Sequence, residues 1–216
     1  LYQQRFGKSV ETLYKGCDLS TTPKMHVNNP LRFVYAGNLL WGRAGTLSQI
    51  ADSLDKLNQD GLKAVLEIYT GATVTEELRK KLDKKTSSHI MGSRSYKEIK
   101  QIMHDADVVL HIESFDKDNI ETVRYSFSTK IIDCLQSGNQ VFGIGPKGIA
   151  SIEYLKKVDG AIVVDDQNNI FDVIQQIVLH SDELNENRKL TREYAKKHHE
   201  INAVQQSIRK DFEKLM

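Results

Sequence analysis

The stretch from Arg124 to Gly138 (RYSFSTKIIDCLQSG) combines three groups that a phosphorylated ligand needs. Ser128 is a favourable N-cap residue, so we predict that a helix begins there with free backbone N–H groups facing outward. The positive end of that helix attracts phosphate, and Lys130 adds a cation in the first turn. Asp133 lies a turn further in, where a carboxylate can accept hydrogen bonds from a ribose diol. The alternative interpretation is a capped helix docked on a sheet, with Lys130 and Asp133 simply solvated.

A second stretch, from Tyr35 to Arg43, follows the first predicted strand and offers similar chemistry. Gly37 lets the backbone approach a ligand, and Arg43 can pair with phosphate through two parallel hydrogen bonds. The helix that follows again presents its N-terminus. An ordinary turn between strand and helix, with one exposed arginine, is the alternative interpretation.

Two other features are weaker signals. Gly143 to Gly148 reads G-x-G-x-x-G, with Asp165 about 20 residues later, which imitates a dinucleotide-binding fingerprint. The unit is the fifth in the chain rather than the first, and Pro146 and Lys147 stand where the phosphate turn must be tight. We therefore do not predict dinucleotide binding from this motif.

His111 ends the fourth predicted strand and is followed closely by Glu113. It is either a group that touches a substrate or a buried histidine satisfied by hydrogen bonds. No His, Asp or Glu cluster has metal-ligand spacing, so we predict no metal site. No Ser or Cys stands in a nucleophile-elbow signature, and the catalytic residues stay unassigned.

The composition restricts the class of protein. A hydrophobic content of 39% and a charged content of 27% suit a globular protein with a substantial core. Thirty basic against 29 acidic side chains argue against nucleic acid as the partner, and no apolar run approaches membrane-spanning length. Two cysteines, Cys17 and Cys134, form no disulfide framework, and with no signal peptide we expect a reducing, cytoplasmic location. The chain begins at Leu1 rather than Met, so we expect a fragment.

The elements that position these groups alternate between strand and helix. The predicted strands are Leu31–Ala36, Val65–Tyr69, Ser88–Ile90, Val108–His111, Gln140–Phe142 and Ala161–Val164. The predicted helices are Gly45–Asn58, Thr75–Lys84, Tyr96–His104, Thr129–Ser137, Ile149–Lys156 and Ile170–His180. Six such units predict an α/β, Rossmann-like, doubly wound parallel sheet of six strands. Its ligands should bind at the carboxyl ends of the strands, in the loops near 37–45, 71, 91–95, 112–128 and 143–149.

The two ends depart from this alternation. Residues 1–30 contain Pro23 and Pro30 and are predicted to form a short segment followed by a linker. Residues 182–216 are highly charged and helical in pattern, with scattered apolar anchors at Leu190, Tyr194, Val204, Ile208, Phe212 and Leu215. Both ends either contact something beyond residues 31–181 or pack on the flank of that domain.

From about Leu31 to Asp166 the chain resembles the C-terminal, donor-binding half of a GT-B fold retaining glycosyltransferase. The nearest group is the large group 1, family-4-like set that includes capsule and cell-envelope polysaccharide transferases. The matching segments are YAGNL (35–39) with Arg43, LEIYTG (66–71), IMG (90–92), DADVVL (105–110) and STKIID (128–133). Residues 1–20 resemble the last elements of the acceptor half, and the tail resembles helices that cross back to it.

The resemblance implies a donor-binding site within residues 31–181. Its members, carried over by position, are Gly37, Asn38 and Arg43 for the diphosphate, Gly92 and Ser93 for the nucleobase, Ser128 and Thr129 for helix N–H groups, Lys130 for a cation, and Asp133 for the ribose. Tyr125 is the tenth predicted member. It stands at the first position of the family's Glu-x7-Glu pattern, which is altered here, and Asp133 stands at the second. Glu113 or Arg124 can substitute for the first Glu in the contact with the sugar, and both remain open.

The implied activity is transfer of a sugar from a nucleotide donor, expected to be a UDP-sugar, to a glycan or lipid-linked acceptor. The setting would be cell-envelope or capsular polysaccharide biosynthesis. No cofactor or metal is required, because arginine, lysine and helix dipoles neutralise the leaving diphosphate. The acceptor would bind through an N-terminal half, so we expect the fragment to be inactive alone and the whole protein to associate peripherally with the inner face of the membrane. A UDP-sugar epimerase of the same fold and an inactive interaction or regulatory module are the alternatives.

Overall fold

A computed structural model describes residues 2–8 and 12–213 of the chain. The strands are β1 Leu31–Ala36, β2 Ala64–Tyr69, β3 Ser88–Gly92, β4 Val108–Ile112, β5 Gln140–Ile144 and β6 Ile162–Val164. The helices are α1 Tyr2–Phe6, α2 Arg43–Leu57, α3 Glu76–Leu82, α4 Tyr96–Asp105, α5 Lys117–Val123, α6 Lys130–Ser137, α7 Ala150–Leu155, α8 Ile170–Leu179, α9 Leu184–His199 and α10 Ile201–Glu213. Short 3₁₀ turns at Gln167–Asn169 and Ser181–Glu183 precede α8 and α9.

The six strands form one parallel sheet in the order β3-β2-β1-β4-β5-β6. This confirms the predicted α/β, Rossmann-like, doubly wound parallel sheet. The strand order reverses between β1 and β4, because the chain first builds outward to β3 and then returns to the other side of β1. Such a reversal opens a crevice at the carboxyl ends of the two strands, and ligands of open α/β sheets bind there.

Two apolar layers cover the sheet. On one face, α2 and α8 contribute Leu47, Ile50 and Ile174, which pack against strand residues such as Phe33 and Leu110. On the opposite face, α6 and α9 contribute side chains that include Ile131, Ile132, Leu135 and Ala195. Burial on both faces explains why the strands are nearly continuous apolar runs.

Two helix boundaries at the carboxyl ends of the strands differ from the prediction. Helix α2 begins at Arg43 rather than Gly45, directly after Gly42, whose φ is 70°. Helix α6 begins at Lys130, one residue after the predicted start at Thr129, and Thr129 rather than Ser128 holds the N-cap position, where its side chain makes no capping hydrogen bond. Ile131 and Ile132 donate to carbonyls three residues back, which gives a tighter turn ahead of the helix.

The predicted loop at 112–128 contains the short helix α5. The N–H of Ile120 donates to the carbonyl of Asp116, and Ile120 and Val123 pack against Ile149. This helix was not predicted, because its two apolar residues are too few to show a helical periodicity in the sequence.

The two ends pack on the sheet domain to different extents. Lys24 and Arg188, from the N-terminal segment and from α9, both form ion pairs with the buried Asp107. By contrast, α10 has no buried residue, and Phe212 near its end is exposed. Residues 24–28 and α9 therefore pack on the flank of the sheet domain, which was one of the two predicted interpretations. Leu215, one of the predicted apolar anchors, lies outside the described residues.

Candidate functional site

Seven of the ten predicted donor-site residues line two adjoining cavities at the ligand edge. The first cavity has a volume of about 510 Å³, and its lining includes Asn38, Ser128, Thr129, Lys130 and Asp133. The second has a volume of about 340 Å³, and its lining includes Gly37 and Ser93. Both are also lined by Ala36, Tyr96 and Ile99, so together they form one continuous crevice.

Three predicted residues do not line either cavity. Arg43 is mostly buried beside the crevice, and Gly92 ends β3 with a φ of 73°, directly before Ser93. Tyr125 is 71% exposed in the loop before α6, with the guanidinium of Arg124 over its ring.

Arg43 is held by three hydrogen bonds at the carboxyl ends of β1 and β4. Its Nε donates to the carbonyl of Ile112 at 3.1 Å, and its Nη1 donates to Asn38 Oδ1 at 2.9 Å. Its Nη2 forms an ion pair of 2.9 Å with Oε2 of Glu113. A guanidinium has five N–H donors, so these bonds leave one donor on each terminal nitrogen. The position of Arg43 is thus fixed while it keeps two donors for an anion.

Glu113 and His111 form a buried polar pair at the end of β4. His111 Nε2 lies 3.4 Å from Glu113 Oε1, and both side chains are almost fully buried. Burial lowers the pKa of His111 and so favours the neutral ring. Burial alone would raise the pKa of Glu113, but the neighbouring His111 and the charge of Arg43 outweigh it and hold the pKa below its ordinary value. Glu113 therefore stays ionised beneath Arg43.

His111 differs from one of its two predicted interpretations. It is buried, and within the described part of the chain its Nε2 makes only the 3.4 Å contact to Glu113, while its Nδ1 has no hydrogen-bond partner. The ring is therefore not fully satisfied by hydrogen bonds.

Lys130 places a second cation in the crevice. Its Nζ lies 4.3 Å from the centroid of the Tyr35 ring and occupies the space that a side chain at Gly37 would fill. Burial lowers the pKa of Lys130 to about 8, because water is largely excluded and the described residues offer no ion pair to it. A desolvated ammonium interacts more strongly with an incoming anion than a solvated one does.

The start of α6 adds N–H groups to these two cations. The N–H groups of Ile131 and Ile132 are used within the first turn, so those of Thr129 and Lys130 are left at the end of the helix. Ser128 and Thr129 line the first cavity at this point. The helix dipole favours an anion at this position.

Asp133 lies one turn further into the first cavity, and its Oδ1 is 3.1 Å from Nζ of Lys15. The N-terminal segment therefore contacts the predicted ribose-binding carboxylate. Nearby, Tyr14 packs against Phe127, two residues before Thr129, and the carbonyl of Lys15 lies 3.3 Å from Nδ1 of His199. This segment connects the crevice to the end of α9.

The second cavity lies at the ends of β2 and β3. Its lining combines the backbone of Gly71 with Ser93, Arg94 and Tyr69, and the Arg94 guanidinium lies 5.9 Å from the Tyr69 ring centroid. Ser95 is the N-cap of α4 and forms a capping box, in which its side chain and that of Glu98 satisfy each other's backbone N–H groups. Flat side chains and backbone groups of this kind suit a planar, polar ring.

Sequence reasoning gave Glu113 only a possible substitute role and missed Lys15 altogether. The position of Glu113, just after an apolar strand that ends in a histidine, was the signal available for it.

Within the described residues, no group of three or more His, Cys, Asp or Glu side chains is arranged to hold a metal ion. None of the described helices is long and apolar enough to cross a membrane.

Comparisons with known proteins give a likeness in structure only. No protein-family model matches the sequence, and no curated protein matches it. Among solved structures, WaaG, a glycosyltransferase involved in lipopolysaccharide biosynthesis, matches with a TM-score of 0.65 and 14% identity over 95% of this chain and 58% of WaaG. HepE from Anabaena, in complex with UDP and glucose, matches with a TM-score of 0.64 and 15% identity over 87% of this chain and 49% of HepE.

A third similar structure is TarM from S. aureus, in complex with UDP and alpha-GlcNAc-glycerol. It matches with a TM-score of 0.66 and 13% identity over 93% of this chain and 39% of TarM. The chain thus spans about half the length of the proteins that it matches. Over that length, it has the Rossmann-like fold of GT-B glycosyltransferases.

Proposed function

We propose that this chain binds the nucleotide-sugar donor of a glycosyltransferase, with UDP as the nucleotide. The single observation that carries the proposal is the convergence of Lys130 and the start of α6 on one crevice, with Arg43 held beside it by its hydrogen bond to Asn38, which lines the crevice. A diphosphate carries the charge that these three positive groups can neutralise, and the crevice extends on one side into a cavity suited to a planar base. The UDP in the similar structures HepE and TarM supports this choice of nucleotide.

Each part of the donor has an assigned position in this proposal. The base lies beside Ser93 and Gly92, the ribose diol contacts Asp133, and the diphosphate lies between Gly37, Asn38 and the start of α6. Arg43 and Lys130 stabilise the diphosphate as it leaves, which lowers the barrier because both charges are already in place. No step in this arrangement needs a metal ion.

The whole protein would transfer the sugar to a glycan or lipid-linked acceptor. Because this chain spans about half of the proteins that it matches, the acceptor would bind across a second half of similar size. Polysaccharide biosynthesis is the setting that WaaG, in lipopolysaccharide biosynthesis, supports.

Calorimetric titration of the chain with UDP, ADP and GDP tests the proposal. The informative variant is Lys130→Met, because it removes a desolvated charge that forms no ion pair with the described residues and should leave the fold intact. We expect selective binding of UDP by the wild type and a loss of about tenfold or more in the variant. Lys80→Met is the matched control, since Lys80 is exposed on α3 and lines neither cavity. Wild-type chain that binds none of the three nucleotides would contradict the proposal.

A further inference from the structure

Trp41 combines an unfavourable backbone with an exposed ring. It is the single tryptophan of the chain and the one non-glycine residue with a positive φ, 57°, in the part that the structure describes. A left-handed backbone is costly for a bulky side chain and persists only where the surroundings impose it. Yet 48% of Trp41 is exposed, so burial in the core does not explain its position. Trp41 lines neither cavity, so its exposed ring can contact only a part of a ligand that extends beyond the crevice.

The turn that carries Trp41 is fixed to the loop after β4. A side chain at Gly42 would meet Asn119 Nδ2 at 2.6 Å and Asp116 Oδ2 at 2.8 Å, so the backbone of the turn packs directly against side chains of the segment after β4. One helical turn later, the hydroxyl of Thr46 donates to the carbonyl of Glu113 at 3.0 Å. Together with the bonds of Arg43, these contacts hold Trp41 ready for contact, and a preorganised group loses little entropy on binding.

The position of this turn along the sheet edge identifies the part of the ligand that it can reach. In the proposed function, on which this step rests, the base lies at the end of β3 and the diphosphate at the end of β1. The turn packs on the loop after β4, which is the next strand beyond β1 and about 5 Å away. A nucleotide-sugar is built in the order base, ribose, diphosphate and sugar, so its sugar extends toward Trp41.

We propose that Trp41 contacts the transferred sugar and is a specificity-determining residue of the donor site. The face of an aromatic ring carries partial negative charge, and the C–H groups on one face of a hexose ring carry partial positive charge. Stacking the two also removes exposed apolar surface of Trp41 from water. The ligand class is a nucleoside diphosphate-hexose, and the contact favours a sugar with an unobstructed C–H face.

Because Trp41 is the sole tryptophan, its fluorescence reports on this contact directly. The chain is titrated with UDP, UDP-glucose, UDP-galactose and UDP-N-acetylglucosamine, while calorimetry measures each affinity. We expect the best-binding UDP-sugar to change the emission of Trp41 more than UDP does. Trp41→Ala should lower the affinity for that UDP-sugar about fivefold and leave the affinity for UDP within about twofold of the wild type. Trp41→Phe should retain most of the UDP-sugar affinity.

Leu40→Ala is the matched control, because Leu40 is the neighbouring exposed apolar residue of the same turn. It should leave the ratio of UDP-sugar to UDP affinity unchanged. Suppose that UDP-sugars bind, that they change the Trp41 emission no more than UDP does, and that Trp41→Ala weakens UDP-sugars and UDP to the same extent. This proposal is then overturned while the donor-site proposal stands. If no nucleotide binds, both are overturned. An emission shift with phosphatidylglycerol vesicles but not with UDP-sugars would also overturn it, by assigning Trp41 to a membrane surface.

Discussion

The ammonium group of Lys130 stands 4.3 Å from the centroid of the Tyr35 ring, in the space left open by Gly37. The hydroxyl of Tyr35 donates to the carbonyl of Asn38 at 2.5 Å, so the ring beneath the ammonium is itself fixed. The ammonium group can therefore lie at this position only because Gly37 has no side chain. This relationship joins two segments of the chain that sequence analysis had assigned to the same diphosphate.

Replacing Gly37 by Ala should displace Lys130 without unfolding the protein. The new methyl group would overlap the flexible end of Lys130, which can move toward solvent, and would lie 3.0 Å from the hydroxyl of Tyr35, which needs a shift of only a few tenths of an ångström. We expect UDP affinity to fall about fivefold and the free energy of unfolding to change by less than about 1 kcal/mol. Calorimetry and urea unfolding measure the two quantities.

Gly45→Ala is the control for this substitution, because a methyl group there meets no atom within 4 Å. It lies within α2, where Ala is the better helix former, so stability should rise by about 1 kcal/mol while UDP affinity stays unchanged. Equal UDP affinities for both variants and the wild type would show that the position of Lys130 is irrelevant to binding.

The lowered pKa of Lys130 gives binding and stability opposite dependences on pH. With a pKa of about 8 in the folded chain, Lys130 loses its charge above pH 8, so UDP affinity should fall there, toward about tenfold per pH unit. In the unfolded chain the ordinary pKa is higher, and between pH 8 and about 10 the unfolded chain binds more protons. Stability without ligand should therefore rise with pH in that window.

Two variants separate Lys130 from other titrating groups. Lys130→Arg keeps its charge, so its UDP affinity should be flat from pH 7 to 9, as calorimetry at each pH would show. Lys130→Met should lose the rise in unfolding free energy above pH 8 relative to the wild type. A wild-type affinity as flat as that of Lys130→Arg would contradict the assignment.

The sheet was predictable because each strand is buried on both faces and reads as an apolar run, and β1 was predicted with its observed bounds. The geometry of the crevice was less predictable, because it depends on pairs far apart in sequence. Nothing local to Glu113 indicates that Arg43 neutralises it, and Lys15 reaches Asp133 across 118 positions. Even the start of α2 depends on Gly42, whose conformation is set by packing against the loop after β4.

Asp107 should be the costliest acidic residue to replace. Its fully buried carboxylate accepts from Lys24 Nζ at 2.8 Å and from Arg188 Nη2 at 3.2 Å, and it also binds Asn28 and the N–H of Arg32. Asp107→Asn leaves two buried cations without a counter-charge, so we expect a loss of about 3 kcal/mol or more in urea unfolding. Asp52→Asn, which breaks an ion pair with Lys84 at an exposed site, should cost less than about 1 kcal/mol. Equal costs for the two variants would contradict a role for Asp107 in fixing both ends of the chain.

Removing the charge of Lys15 should strengthen nucleotide binding. Lys15 is paired with Asp133 at 3.1 Å, and a ribose diol that binds this carboxylate must compete with the ammonium group. Both side chains are partly exposed, so the pair is weak, and Lys15→Met should raise UDP affinity by about two- to fivefold in calorimetry. Lys156→Met, at another ion-paired lysine that lines neither cavity, should have no effect. A lower affinity in Lys15→Met would instead make Lys15 part of the binding site, and an unchanged affinity in both Lys15→Met and Asp133→Ala would remove Asp133 from the ribose contact.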